Sequence, residues 1–313
     1  MQIIKYNDLP YQTNYGDMPQ IHPQPNLPEF TMPDASDYVY QRSYRGKVQG
    51  LILDWSGTTA DAYVIAPAVV FVEVFKNQGV EISMLEARGP MGLRKDLHIK
   101  MLTEDPVIRE RWNEIKGAYP TQDDVDAMFT DFVPAQVACL PQYTDLLPGI
   151  AEVTQKIQVD GIKIGVTTGF TRVMVDVLEV AARAQGFNPD ATVAGDEVVN
   201  GARPKPFMVY RNLDLLDIHP IQSVVKVDDT ASGVGEALEA GCWGVGVSRY
   251  SNYMDIDTME QAAAMSEQEL ERRNAFSADI LRKTGAHYVI DSIVELPGVI
   301  DDINARLARG ERP

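Results

Sequence analysis

The sequence predicts an α/β protein: a Rossmann-like parallel sheet with a helical block inserted after the first strand. Three observations lead there. From residue 47 onward, short apolar runs alternate with segments of helical period, the pattern of strands joined by crossover helices. Three of those runs stop abruptly at polar residues: "LILD" at Asp54, "KIGVTT" at Thr167 and Thr168, and "VVKVDD" at Asp228 and Asp229. Residues 84 to about 144 are mostly helical in period and separate the first run from the second.

Taken in order, residues 1–46 are rich in Pro and Tyr and hold no sustained period, so they read as an extended arm. "VQGLILDW" is a buried strand, and "APAVVFVEVFKNQGV" a helix with Pro67 near its first turn and Gly79 at its end. "PMGLRKDLHIKML" and "TQDDVDAMFTDFVPAQVACL" are the clearest helical stretches of the insertion. "GIKIGVTTG" returns to strand and leads into the helix "RVMVDVLEVAARAQG". "ATVAGDEV", "SVVKVDDT", "CWGVGVS" and "HYVIDSI" are further short strands, and "SGVGEALEAG" is a helix. The expected layout is an arm at 1–46, a core at 47–62 and 145–313, and a cap at 63–144. Hinges are expected near 60–66 and 141–150.

Composition excludes several roles. A formal net charge of −17 and the lack of a basic patch argue against nucleic acid as a partner. No apolar run nears the roughly 20 residues that span a bilayer, so no membrane role is expected. The opening residues lack the charged start and apolar middle of a secretory leader. Cys139 and Cys242 are far apart and lack metal-ligand spacing, which suits small core residues of a cytoplasmic protein.

In an open parallel sheet, ligands bind beyond the carboxyl ends of the strands. Asp54, Thr168 and the Asp228–Asp229 pair would converge there. Carboxylates alone repel an anion. With Mg²⁺ between them they can neutralise a phosphoryl group and leave one oxygen free to attack it. Thr168 and Gly169 are expected to open a helix whose free N–H groups favour an anion. "GARPKP" adds Arg203 and Lys205 to balance charge. On a helix, Met91, Lys95 and His98 would fall on one face at i, i+4 and i+7.

Five segments, "LDWSGTTAD", "EARGPMGLRKDLH", "IKIGVTTGFTR", "NGARPKP" and "VKVDDT", occur in an order that resembles the haloacid dehalogenase superfamily and, within it, the phosphonatase family. The resemblance runs from about residue 48 to the end. Its most specific part is the second segment, which belongs to the cap. It implies hydrolysis of a carbon–phosphorus bond in phosphonoacetaldehyde, giving acetaldehyde and phosphate at the close of a 2-aminoethylphosphonate degradation route. A cleaved carbon–phosphorus bond leaves as a carbanion, so the reaction needs an electron sink. A lysine imine with the adjacent aldehyde supplies one.

The resemblance makes Lys95 the imine-forming amine, His98 its proton-transfer partner, and Met91 a cap residue beside the lysine. It makes Asp54 the nucleophile that becomes an aspartyl phosphate, with Thr168, Gly169 and Arg203 on the phosphate. It implies Mg²⁺ held by Asp54, the Ser56 carbonyl and Asp229, and a homodimer formed through the caps. Superfamily phosphatases usually carry an acid two residues after the nucleophile. Here that place is Ser56, where phosphonatases typically have Ala, and an enamine leaving group needs no such acid.

Three departures stand out: Asp228 precedes Asp229, position 233 is Gly where many superfamily members have an acid, and Phe170 replaces a common Tyr. Two rivals remain. One is a phosphomonoester phosphatase or phosphomutase of the same fold, which would leave Lys95 and His98 idle. The other is a non-catalytic scaffolding relative whose arm is the working part.

Overall fold

The computed structural model describes residues 44–313, so the expected arm lies almost wholly outside the described residues. Six strands form the sheet: β1 Gly50–Leu53, β2 Lys163–Thr168, β3 Ala191–Ala194, β4 Val224–Asp228, β5 Trp243–Val247 and β6 Tyr288–Ile290. Every pair is parallel, in the order β3-β2-β1-β4-β5-β6. The central strands β1 and β4 are buried throughout, which is why they read as unbroken apolar runs instead of alternating ones. Leu53 pairs with Val166 on one side and Val227 on the other. The residue after Leu53 therefore leaves the sheet between β2 and β4, where the strand order reverses and a crevice must open.

The chain between β1 and β2 carries α1 Ile65–Asn77, α2 Met84–Arg88, α3 Lys95–Glu104, α4 Pro106–Lys116 and α5 Gln122–Cys139, then the crossover helix α6 Ile150–Val159. Local chemistry sets these ends. Ser83 with Glu86, and Thr121 with Asp124, form capping boxes at α2 and α5. Asp105 caps α4 ahead of Pro106, and Gly117 ends it in the left-handed region. Phe71 of α1 stacks on Phe132 of α5, with ring centroids 4.5 Å apart, and on His98 of α3 at 3.7 Å. That three-ring stack is the centre of the helical block.

The remaining helices are α7 Arg172–Ala184, α8 Phe207–Leu216, α9 Ala231–Ala240, α10 Met259–Ala264, α11 Glu267–Lys283 and α12 Leu296–Ala308. No helix among the described residues is long and apolar enough to cross a membrane.

Two local expectations need correction. Met91 is not on the helix of Lys95 and His98, because α3 begins at Lys95 and Met91 sits in the preceding turn, where Gly92 has φ +92°. Thr168 and Gly169 do not open a helix: Thr168 ends β2, and α7 starts at Arg172.

Two chain passages join the helical block to the sheet, and they pair at Ala60 and Leu146. Just beyond, Asp61, Tyr63 and Val64 all have positive φ, at 52°, 68° and 56°. A β-branched residue in that region is costly, so packing must hold it there. Asp61 does part of this: its Oδ1 accepts from the N–H groups of Ile65 and Ala66, both at 3.1 Å, and starts α1.

Phe132→Ala should destabilise the protein by about 3–5 kcal/mol, since it opens a cavity under the stacked rings. Urea unfolding monitored by circular dichroism checks this.

Candidate active site

The ends of three strands, β1, β2 and β4, bring buried polar side chains together around one small cleft. Asp54 follows β1 and is buried, as are Thr168 at the end of β2 and Asp228 and Asp229 at the end of β4. The cleft is lined by Asp54, Ser56, Thr168, Gly169, Phe170, Arg203 and Thr230 from the sheet side, and by Val64, Pro67, Met91, Gly92 and Lys95 from the helical block. The cavity it encloses is only about 20 Å³, room for about one water molecule, so the cleft as it stands is nearly filled by its own side chains.

The two halves meet closely. Ser232 Oγ donates to the Met91 carbonyl at 3.3 Å, and Arg203 Nη1 to the Gly92 carbonyl at 3.4 Å. A Cβ at Gly92 would fall 2.2 Å from Ser232 Oγ, and one at Gly169 would fall 2.4 Å from the Leu93 carbonyl oxygen. Side chains at these positions would hold the halves apart.

Arg203 is the hub. It is fully buried, and its Nη2 donates to Asp54 Oδ1 at 2.6 Å and to the Thr167 carbonyl at 2.9 Å. Its Nε donates to Glu236 Oε2 at 3.0 Å, and Asp228 Oδ2 lies 3.3 Å from Nη2. Lys226, also buried, donates to Asp228 at 2.9 Å and to Thr167 Oγ1 at 3.0 Å. Burial pushes the Asp54 carboxyl up, while the neighbouring Arg203 pulls it down. Burial also works upward on Asp228, but Arg203 and Lys226 outweigh it and hold that group below the usual range.

Asp229 differs. Burial, reinforced by the Asp228 and Asp54 charges, drives its carboxyl well above the ordinary value. It accepts from the Asn252 N–H at 2.8 Å, and no cationic side chain is bonded to it among the described contacts. Ligand oxygens of Asp54, Asp228 and Asp229 lie within 4.8 Å of one another. Crowded buried carboxylates of this kind suit a hard divalent cation, which takes oxygen ligands and removes their mutual repulsion. The donor set therefore fits a metal ion.

Lys95 opens α3 and points its amine into the same cleft. Nζ lies 4.6 Å from the centre of the Phe170 ring and 5.7 Å from that of Phe71. Burial lowers its pKa to about 8 against the pull of Asp54, so a useful fraction is neutral near physiological pH.

His98 is brought near but does not line the cleft. Its Nε2 lies 2.8 Å from the Ala87 carbonyl, so Nε2 carries the proton and Nδ1 is an unpartnered acceptor. Burial, with Lys95 adding to it, keeps the ring neutral. Lys205 reaches only the Asn200 carbonyl and faces solvent.

Sequence reasoning missed four residues here. Lys226 carried a usable signal, a charge inside a buried apolar run. Glu236 and Arg88 carried none, because their burial is decided by distant partners. Arg88 of α2 donates to the Tyr63 carbonyl at 2.6 Å and to the Ile256 carbonyl at 2.5 Å, and so ties the helical block to the loop after β5. Asn252 accepts from Arg88 at 3.3 Å, and its own N–H serves Asp229.

No protein-family model matches the chain. A phosphonoacetaldehyde hydrolase from Syntrophobacter fumaroxidans is 39% identical over 276 residues, covering 88% of this chain and 99% of the relative. One from Klebsiella pneumoniae is 41% identical over 268 residues, covering 85% and 99%. The crystal structure of a phosphonoacetaldehyde hydrolase-like protein from Oleispira antarctica superposes with a TM-score of 0.85 at 39% identity, over 88% of this chain and 99% of that one. Fold and relatives agree: the chain is a hydrolase and belongs to the phosphonoacetaldehyde hydrolase family of the haloacid dehalogenase superfamily.

Proposed function

We propose that the enzyme hydrolyses phosphonoacetaldehyde to acetaldehyde and phosphate through a Lys95 imine and an Asp54 aspartyl phosphate. The observation that carries this reading is the meeting of two nucleophiles, Lys95 and Asp54, in one closed cleft too small for a large substrate. The relatives' names agree with it.

The chemistry follows from the residues. Neutral Lys95 adds to the aldehyde carbonyl, and loss of water leaves an iminium ion. Asp54, oriented by Arg203, attacks phosphorus in line with the carbon–phosphorus bond. The bond pair flows toward the iminium nitrogen and gives an enamine, so no free carbanion forms. Protonation of the enamine carbon and hydrolysis of the imine release acetaldehyde. Water then cleaves the aspartyl phosphate and restores Asp54. His98, three residues on from Lys95 and with a buried Nδ1 that has no hydrogen-bond partner, would serve the proton transfers at the lysine. Thr168, the Gly169 backbone and Arg203 hold the phosphonate oxygens, while Met91 covers the imine side.

Mg²⁺ is the ion we assign to the acidic cluster, held by Asp54, Asp229 and the Ser56 carbonyl; bound there it would neutralise phosphoryl charge. Asp228 is already engaged by Lys226, Arg203 and Thr230, which favours Asp229 as the direct ligand. Helices α1–α5 act as the cap, with the strained passage at 61–64 as one hinge. Leu85, Met101, Val107 and Ile115 expose large apolar side chains on α2–α4 and support a homodimer through the caps. Unpaired Cys139 and Cys242 accord with a cytoplasmic enzyme, and the substrate places it at the end of 2-aminoethylphosphonate degradation.

Borohydride reduction in the presence of phosphonoacetaldehyde and Mg²⁺ should leave a two-carbon or phosphonoethyl adduct on Lys95, located by peptide mass spectrometry. Lys95→Ala should take no adduct and lose turnover. Hydrolysis of simple phosphate esters that survives Lys95→Ala would instead favour a phosphatase.

Imine formation needs the neutral amine, so kcat/KM should climb as pH rises toward about 8 and then level off. The same group costs stability. Its folded pKa lies below its unfolded one, so the unfolded state binds more protons between about 8 and 10.5 and stability rises with pH through that window. Below it the full penalty applies. Lys95→Met should therefore stabilise the inactive protein at pH 7 by on the order of 1–3 kcal/mol, with the gain fading above pH 10.5; denaturant titrations at both pH values check this.

A further inference from the structure

Asp229 takes its position from the loop after β5. Its Oδ2 accepts from the Asn252 N–H at 2.8 Å, and its carbonyl accepts from Ser251 Oγ at 2.8 Å. Thr58 Oγ1 lies 3.5 Å from Oδ1 and is the other side-chain partner of Asp229 among the described contacts. Two adjacent loop residues therefore hold both the side chain and the backbone of this acid.

The side chain of Asn252 is engaged by the helical block instead. Its Oδ1 accepts from Arg88 Nη1 at 3.3 Å, and its Nδ2 donates to the Arg88 carbonyl at 3.2 Å. Arg88 ends α2 and is buried. It also donates to the Tyr63 carbonyl at the junction, to the Ile256 carbonyl, and to Asp257 Oδ1 at 3.4 Å. Among the described contacts it bonds to none of Asp54, Asp228 and Asp229. Asn252 thus stands in two networks at once, one reaching the acidic cluster and one reaching the helical block.

We propose that Arg88 is a positioning residue for Asp229: docked into the loop it fixes Asn252, and Asn252 in turn aims the Asp229 carboxylate into the acidic cluster. Binding of a divalent ion there and docking of the helical block then favour each other by the same factor. The cleft has room for about one water molecule, so substrate enters only when the block lifts. Lifting releases Arg88 and leaves Asp229 less constrained until the block returns. The proposal rests on the metal reading of the cluster and not on the imine chemistry.

The test compares the full-length protein with Arg88→Met, Asn252→Ala and the double variant. Mn²⁺ affinity is read by electron paramagnetic resonance. Hydrogen exchange is followed by mass spectrometry over residues 61–66, where the Tyr63 N–H donates to the Tyr250 carbonyl at 2.8 Å. Arg88→Met should weaken Mn²⁺ binding roughly tenfold, although it removes no group of the acidic cluster. Asn252→Ala keeps the N–H that serves Asp229 but loses both side-chain bonds to Arg88, and should weaken binding by a similar factor. Because both changes cut one connection, the double variant should bind little worse than either single. In wild type, saturating Mn²⁺ should slow exchange over 61–66 by roughly tenfold, and in each single variant by less than about twofold.

Mn²⁺ affinity of Arg88→Met within about twofold of wild type overturns the proposal, as does wild-type exchange that Mn²⁺ leaves unchanged. So does faster exchange in the variants that Mn²⁺ still slows by the wild-type factor, since that marks an arginine that only holds the fold together. Should Arg88→Met not fold, Asn252→Ala carries the same comparison, because it leaves the guanidinium on the Tyr63 and Ile256 carbonyls. Wild type that binds no Mn²⁺ overturns the metal reading and the proposal with it. If wild type binds Mn²⁺ without cleaving phosphonoacetaldehyde, the proposed activity fails, and Mn²⁺ affinity and exchange still decide the role of Arg88.

Discussion

The buried guanidinium of Arg203 is the contact on which the rest of the site depends. It binds Asp54 after β1, the strand β2 through Thr167, Glu236 of α9, and the Gly92 carbonyl of the helical block. Buried acids this close would not stay ionised without a cation among them, since desolvating a lone carboxylate costs several kcal/mol. Arg203 suits the task better than lysine would, because a planar fork reaches several acceptors at fixed angles. One side chain thus sets the charge of the cleft and the distance between its two halves.

A second constraint is the burial of Lys95. In water its amine would be almost wholly protonated and a weak nucleophile. Phe71 and Phe170 face it with aromatic surface instead of carboxylates, so desolvation wins over the attraction of Asp54. The same Phe71 stacks on His98, which ties the reactivity of the lysine to the core of the helical block. On the proposed mechanism, the stability lost at this position is what leaves the amine nucleophilic, a trade expected where function needs a desolvated group.

The contacts across the cleft bind its two sides directly to each other. Arg88 reaches the carbonyls of Tyr63 and Ile256, Gly92 leaves room for the Ser232 and Thr230 side chains, and Gly169 lets backbone approach backbone. Tyr63 also belongs to the run of positive φ values at the junction. The contacts of Arg88 and the strained junction therefore share Tyr63, so on the proposed hinge any opening would release Arg88 and change the backbone of Tyr63 together.

The alternation of apolar runs and helices was enough to predict the six strands and the inserted helical block, because buried parallel strands must be apolar along their whole length. The motif residues after β1, β2 and β4, with Lys95 and Arg203, were legible because strand ends and short spacings are local features. Three things were decided only in three dimensions. Met91 left the helix because a glycine turn precedes Lys95, a backbone choice that periodicity cannot register. The burial of Lys226, Glu236 and Arg88 depends on partners up to 169 residues away in the chain. The division of labour between Asp228 and Asp229 depends on which one meets Lys226 and Arg203, and adjacent residues at the end of a strand point to opposite sides. The sequence by itself put forward Asp54, Lys95, Thr168 and Arg203, which one cleft brings together; their charge states and the buried partners around them came from the packing, since both are properties of what surrounds a side chain.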